Sequence, residues 1–272
     1  MKKLAIASAL LASLATLNMA HAYQTEVYAG LERTNVDSTD INPTAIALSG
    51  KYYITPVNVR NAPLAEAAFL DKASHVALGY TNLDLDVADA DVDLLGLSGE
   101  YYVPNSNFYA SAAINRADAN GEKGNGYALE VGYLPMAGML LAVGATDMSE
   151  SADPILTAKY GTLTSLGAVA SAGNDTAATL RAKYVTKFGT NDVNFEGNIL
   201  IGDETAYRVG ADLYLDPTLS IGASIADSTF DDSDAIFGLR AQKFITPVVA
   251  VGGSYTTVDG ADSFGLNLTG RF

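Results

Sequence analysis

From Tyr23 to Phe272 apolar and polar residues alternate with a period of two, in blocks of about nine to eleven residues separated by turn residues, which is the signature of strands. In "TEVYAGL", Thr25, Val27, Ala29 and Leu31 share one face while Glu26 takes the other, as does Glu32 beyond it. In "IALSGKYYI", Ile46, Leu48, Gly50, Tyr52 and Ile54 oppose Lys51. Stretches such as "LGLSGEYYV", "YALEVGY", "LRAKYV", "YRVGADLYL" and "FGLNLTGRF" continue the theme, and fourteen blocks can be counted. A helical period shows in one short stretch only. One strand face is Leu, Ile, Val, Phe, Tyr, Ala and Gly; the other mixes Gly, Ser, Thr and Asn with isolated charges. A soluble sandwich would have to protect its edges. A closed membrane barrel has none, and it turns the apolar face to lipid and the polar face to a lumen. The pattern therefore predicts an all-β fold, a transmembrane antiparallel β-barrel of 14 strands.

Five of these blocks end on an aromatic and, within a few residues, a proline: "GKYYITPV", "GEYYVPN", "VGYLPM", "ADLYLDPT" and "QKFITPVV". With a periplasmic N-terminus these are strands two, four, six, ten and twelve, all running toward the periplasm. Pro56, Pro104, Pro135, Pro217 and Pro247 would stop the ladder and open a turn. Tyr52, Tyr53, Tyr101, Tyr133, Tyr214 and Phe244 are accordingly expected in an aromatic girdle at the bilayer boundary. Strand eight, "LRAKYVTKFGTN", lacks the ending.

Strand parity also sorts the charges. It places Glu26, Glu32, Lys51, Glu100, Glu130, Arg181, Lys183, Glu196, Arg208, Asp212, Arg240 and Arg271 away from lipid. A lipid-facing Arg or Lys at mid-depth would cost about 2–4 kcal/mol, so the lumen is their natural home. Glu26, Glu32, Glu100 and Glu130 come from strands one, four and six, and Arg181, Lys183, Arg208 and Arg240 from strands eight, ten and twelve. Two arrangements are open. An acidic wall could face a basic wall and set a transverse field across a pore, or neighbours such as Glu196 with Arg181 or Arg208 could neutralise one another.

Composition narrows the function classes. Residues 1–22 read as a secretory signal peptide cleaved after Ala22: a basic "MKK", a short apolar run and a small-residue "AHA" site. The barrel domain is then 23–272, in the bacterial outer membrane. The remainder holds no run near the ~20 apolar residues of a membrane-spanning helix. There is no cysteine, which removes thiolate chemistry and disulfides. The net charge is −15, and losing Lys2 and Lys3 with the leader makes it −17, a poor match to nucleic acid. No phosphate loop, nucleotide fingerprint or metal spacing is visible, so neither cofactor nor metal is expected. His75, at the periplasmic start of strand three, reads as an interfacial residue rather than a catalytic base.

The connections carry the remaining signals. Periplasmic turns read as short. The opposite ones read as longer and acidic: Asp84 to Asp93, "DANGEKGNG", "DMSESADP" and Asp227 to Asp234. The longest, 148–176, is expected to fold into the lumen. One periplasmic connection differs: "APLAEAAFLDKAS", with Pro63, Leu64, Glu66 and Phe69, reads as a short helix below the barrel.

That stretch, with "ALEVGY", "ADLYLDPTLSIGASIADS" and "QKFITPVVAVGGSYT", resembles the porins of gammaproteobacterial outer membranes, the small monomeric porins of the Acinetobacter-type group. The resemblance covers nearly the whole mature chain. It implies fourteen strands, a monomer, passive diffusion of ions and small hydrophilic solutes, and loops able to narrow the channel. Phe264, Leu266, Leu268 and Phe272 resemble the C-terminal signal read by the barrel assembly machinery, although Gly270 departs from it. Outer-membrane lipids are the other implied partner. The competing function is a non-conducting structural or adhesive barrel.

Overall fold

A computed structural model describes residues 22–59, 62–86, 91–148, 176–229 and 233–272. Alternation of the kind just described leaves each strand with one apolar and one mixed face, and such strands pair edge to edge until the sheet closes. Among the described residues the strands are β1 (Ala22–Val36), β2 (Thr44–Asn58), β3 (His75–Asp84), β4 (Asp91–Tyr102), β5 (Phe108–Ala119), β6 (Glu122–Tyr133), β7 (Met139–Met148), β8 (Ala177–Phe188), β9 (Asn191–Ile201), β10 (Thr205–Asp216), β11 (Leu219–Ser228), β12 (Ile236–Thr246), β13 (Val249–Val258) and β14 (Ala261–Arg271). Each pairs antiparallel with its neighbours in sequence, and β1 pairs with β14 from Glu26↔Arg271 to Val36↔Ala261, closing a fourteen-stranded barrel. The leader (1–21), the centre of the long loop (149–175) and Asp89 lie outside the described residues.

One end of the barrel carries both termini and is called here the terminal end; the opposite one is the loop end. Phe272 is tied across the seam: its amide donates to the Thr25 carbonyl at 2.9 Å, and its own carbonyl accepts from Gln24 at 2.6 Å. Pro104, Pro135, Pro217 and Pro247 fall just beyond the terminal-end limits of β4, β6, β10 and β12, whereas Pro56, expected to stop its ladder, lies inside β2, which stays paired with β1 out to Asn58. Three register shifts, at Tyr23/Thr25, Tyr214/Asp216 and Phe244/Thr246, cluster at this end too.

The connections differ from the expected long-over-short scheme. β5 and β6 are joined by only Asn120 and Gly121, both at positive φ (53° and 92°), a two-residue turn whose twist suits a tight hairpin, so "DANGEKGNG" is mostly strand. The long terminal-end connection between β2 and β3 contains a 3-10 turn (Leu64–Glu66) and a one-turn helix, α1 (Ala67–Leu70).

The outer face is apolar all round: Leu31, Leu78, Leu97, Leu129, Val143, Val209, Leu239 and Leu266 are each about half exposed or more. A continuous apolar belt of this extent is untenable in water. It is the surface a barrel presents to hydrocarbon.

Candidate functional site

All twelve charged residues assigned to the lumen by parity lie on inward-facing strand positions, and the structure adds a thirteenth, Glu66, from the β2–β3 connection. Sequence alternation could not find Glu66, because it lies on no strand. Its only signal was an acid in an otherwise apolar helical stretch.

The charges are paired. Arg181 on β8 sits 3.4 Å from Glu130 on β6, 3.7 Å from Glu100 on β4 and 4.0 Å from Glu196 on β9. Three strands separate β4 from β8, so the Arg181–Glu100 contact bridges a chord of the barrel rather than a ladder step. Arg240 grips Asp212 with two bonds, 2.7 and 2.9 Å, the fork-to-carboxylate geometry that a guanidinium favours. Arg271 donates to Glu26 at 2.8 Å, with Lys51 3.5 Å from the same carboxylate. Arg208 reaches Ser224 at 3.4 Å. Of the two open arrangements the ion pairs match neutralisation by neighbours: Arg181 is matched by Glu130, Glu100 and Glu196, Lys183 by Glu196, Arg240 by Asp212, and Lys51 and Arg271 by Glu26. Glu130 is only 2 % exposed and Arg181 9 %, which requires that pairing, since a lone buried charge costs several kcal/mol.

The terminal end of the lumen is occupied. Residues 62–74 were expected to lie below the barrel; they fold into it instead, and an apolar Pro–Leu–Ala–Phe segment has every reason to leave water. Pro63 is fully buried, and the Leu64 amide donates to the Pro217 carbonyl at 2.8 Å. Leu64 packs on Phe244 and Ala250, and Ala67 on Tyr23, Tyr53 and Val57. Phe69 packs on Tyr102, Tyr109 and Leu140. Polar contacts lock this wedge. Glu66 lies 3.0 Å from the Lys183 ammonium and accepts from the Tyr214 hydroxyl at 2.7 Å. Arg271 donates to the Leu64 carbonyl at 2.8 Å while lying 4.5 Å from the Tyr23 ring and 4.6 Å from that of Phe244. An interior cavity of about 520 Å³ opens from the wedge, lined by Glu66 and Phe69 together with Lys51, Glu100, Arg181 and Arg240.

This wedge explains where the girdle expectation fails. Tyr52, Tyr101 and Tyr133 stand on the outer surface, each about half exposed. Tyr53, Tyr214 and Phe244 turn inward and are only 2, 4 and 4 % exposed. Each keeps the parity of an inward charge on its own strand, Lys51, Asp212 and Arg240 respectively, with no register shift between, so the alternation that turns those charges to the lumen turns these rings there too. His75 is likewise not interfacial. It faces the cavity, 5.4 Å from the Tyr53 ring.

Near the loop end, outward-facing tyrosines donate to aspartates on the neighbouring strand: Tyr80 to Asp93 at 2.6 Å, Tyr255 to Asp262 at 2.7 Å and Tyr207 to Asp227 at 3.5 Å. Asp93, expected at the mouth, is therefore on the outer wall. Phe264 and Leu266 are outward and exposed, with Leu268 on the same face. Two arginines, Arg33 and Arg116, also face outward, each three residues short of its strand's loop-end limit, where the cost of a charge toward lipid falls to about 0–1 kcal/mol.

A closed barrel with a lipid-compatible exterior and a charged lumen is an outer-membrane channel. The chain belongs to the porin family described as "Putative general bacterial porin", whose model matches residues 1–272. Among solved structures it is similar to the Acinetobacter baumannii outer membrane protein Omp33, at 31% identity over 93% of this chain and 99% of that one, with a TM-score of 0.72. It also matches the CymD monoaromatic hydrocarbon channel (10% identity, 92% and 89% covered, TM-score 0.53) and a bacterial polysaccharide outer membrane secretin (11%, 93% and 99%, 0.51), likenesses that show the fold alone. A search of curated proteins gave no match. The protein is a porin of the bacterial outer membrane, a passive channel.

Proposed function

We propose that this porin passes ions and small hydrophilic solutes as a monomer, with its terminal end in the periplasm and its loop end outside. The observation that supports this most is the chord of ion pairs centred on Arg181 above a polar cavity: it narrows the passage without making it apolar. Water and small ions can replace one ion-pair partner at a time there, whereas a dry apolar constriction would exclude them. The lumen set is close to balance, seven acids with Glu66 against six bases, so the mature excess of −17 sits mainly in the loops. A negative mouth concentrates cations, and the preference should be mild and greatest at low salt. In this reading nothing in the lumen is catalytic; its charges bind and sort solutes in passing. Export removes residues 1–22, and Phe272 with Phe264, Leu266 and Leu268 presents the chain to the barrel assembly machinery.

The wedge favours a second reading, a barrel that does not conduct at all. Single-channel recording of refolded residues 23–272 with ion selectivity measured separates the two. Discrete openings with a cation preference that fades with salt support the channel reading. Silence that persists after the wedge is removed would overturn it.

A further inference from the structure

Among the described residues every basic side chain inside this barrel has a partner, but Arg33 and Arg116, which face outward near the loop end, do not. None of the hydrogen bonds or ion pairs of the described residues involves Arg33 or Arg116. Arg33 is exposed on β1, beside Phe264 of β14 and Thr44 of β2 in the ladder. The acid diagonal to it, Asp262, is already occupied as the acceptor of the Tyr255 hydroxyl at 2.7 Å.

Arg33 also borders a groove of about 1010 Å³ on the outer wall, with Leu31, Leu239, Tyr255, Phe264 and Leu266 among its lining. The groove exists because small residues stand where bulky ones flank them: Ala223, Ala241 and Gly253 face outward on β11, β12 and β13. An apolar trough running along the hydrocarbon belt, with an unpaired guanidinium on its loop-end border, has the polarity of a single kind of molecule. The trough suits acyl chains, and the planar fork of the guanidinium suits a phosphate.

We propose that this face is a binding site for a phosphorylated acyl lipid of the outer leaflet, with Arg33 holding the phosphate and the groove holding the chains. The surrounding acids sharpen the assignment. In a chain this acidic, a cation left bare among aspartates at the loop end is the natural place for an anionic headgroup to approach the wall directly. The placement of that lipid in the outer leaflet rests on the loop end facing outward, as proposed above; the contact itself does not.

The test uses the whole mature protein in detergent, titrated with diphosphorylated lipid A in the presence of EDTA, so that a divalent bridge through Asp262 cannot substitute for Arg33. Native mass spectrometry counts retained lipid. Arg33→Ala should weaken retention about fivefold, the share one basic residue brings at an anionic lipid surface, while Arg33→Lys should keep most of it. Arg116→Ala, outside the lining of this groove, should have the smaller effect. Lipid A stripped of both phosphates should bind the wild type about as weakly as the intact lipid binds Arg33→Ala, and inorganic phosphate alone should not compete. Unchanged conductance of Arg33→Ala shows that the barrel is intact. Equal retention by wild type and Arg33→Ala, or equal binding of the dephosphorylated lipid, overturns the site. Orientation is read separately by labelling Ser38→Cys on intact cells, a unique thiol in a chain without cysteine. Protection of that thiol would overturn the outer-leaflet placement while leaving the detergent result to decide the contact.

Discussion

The two ends of this barrel are built on the same strands and to opposite purposes. At the terminal end the inward positions carry the largest side chains in the molecule, Tyr23, Tyr53, Tyr102, Tyr109, Tyr214, Phe244 and Arg271, closed around a wedge of chain. Near the loop end the inward positions carry Ala45, Ala47, Ala117, Ala177, Ala206, Thr34 and Ser263. Strand number and stagger fix a barrel's width along its whole height. Among the described residues the two ends therefore differ in side-chain volume and in one inserted segment, not in the sheet.

Removing the filling should have the largest effect. Replacing Pro63–Ser74 with a short Gly-Ser link should raise unitary conductance severalfold in planar-bilayer recordings, because the seal lies in the wedge. Equal conductance would mean that the ion-pair chord, not the wedge, limits flow. The next effect falls on Arg181. Arg181→Ala leaves Glu130 and Glu100 without their cation, and breaking a buried pair from one side costs about 3–5 kcal/mol. The urea midpoint of the refolded barrel should fall accordingly, and a wild-type midpoint would show that water already solvates that chord.

A smaller effect is expected at the lock of the wedge. Glu66→Gln replaces charge-assisted contacts to Lys183 and Tyr214, each worth roughly 1.5–3 kcal/mol, with neutral ones. Brief high-conductance events should then appear in the single-channel trace while the overall fold persists. Their absence would place the seal in the apolar contacts of Leu64 and Phe69. The smallest effect should come from the loop end. Neutralising Asp84, Asp86, Asp89, Asp91 and Asp93 together should reduce cation preference at low salt and leave it unchanged at high salt, since the Debye length falls from about 30 Å at 0.01 M to about 3 Å at 1 M. Asp93 is held by Tyr80 on the outer wall, so restoring it alone should recover little of the loss.

The sequence by itself determined the barrel: fourteen alternating blocks, the order of the strands, the prolines that end four of them, and which charges point inward. Alternation is a local property, and burying one face while pairing every backbone group leaves a chain of this kind few other arrangements. Tertiary structure decided what the local pattern could not carry. It gave Tyr53, Tyr214 and Phe244, whose inward direction already follows from their parity with Lys51, Asp212 and Arg240, something to pack on, because the wedge that covers them comes from the β2–β3 connection. It drew "APLAEAAFLDKAS" into the lumen, because the apolar surface that buries this segment comes from strands far apart in the chain. It brought Arg181 to Glu100 across the bore, 81 positions apart in sequence (181 minus 100), where ladder neighbours alone would have suggested Glu196. And it left Arg33 bare beside a groove, since only a closed wall shows which small residues stand side by side.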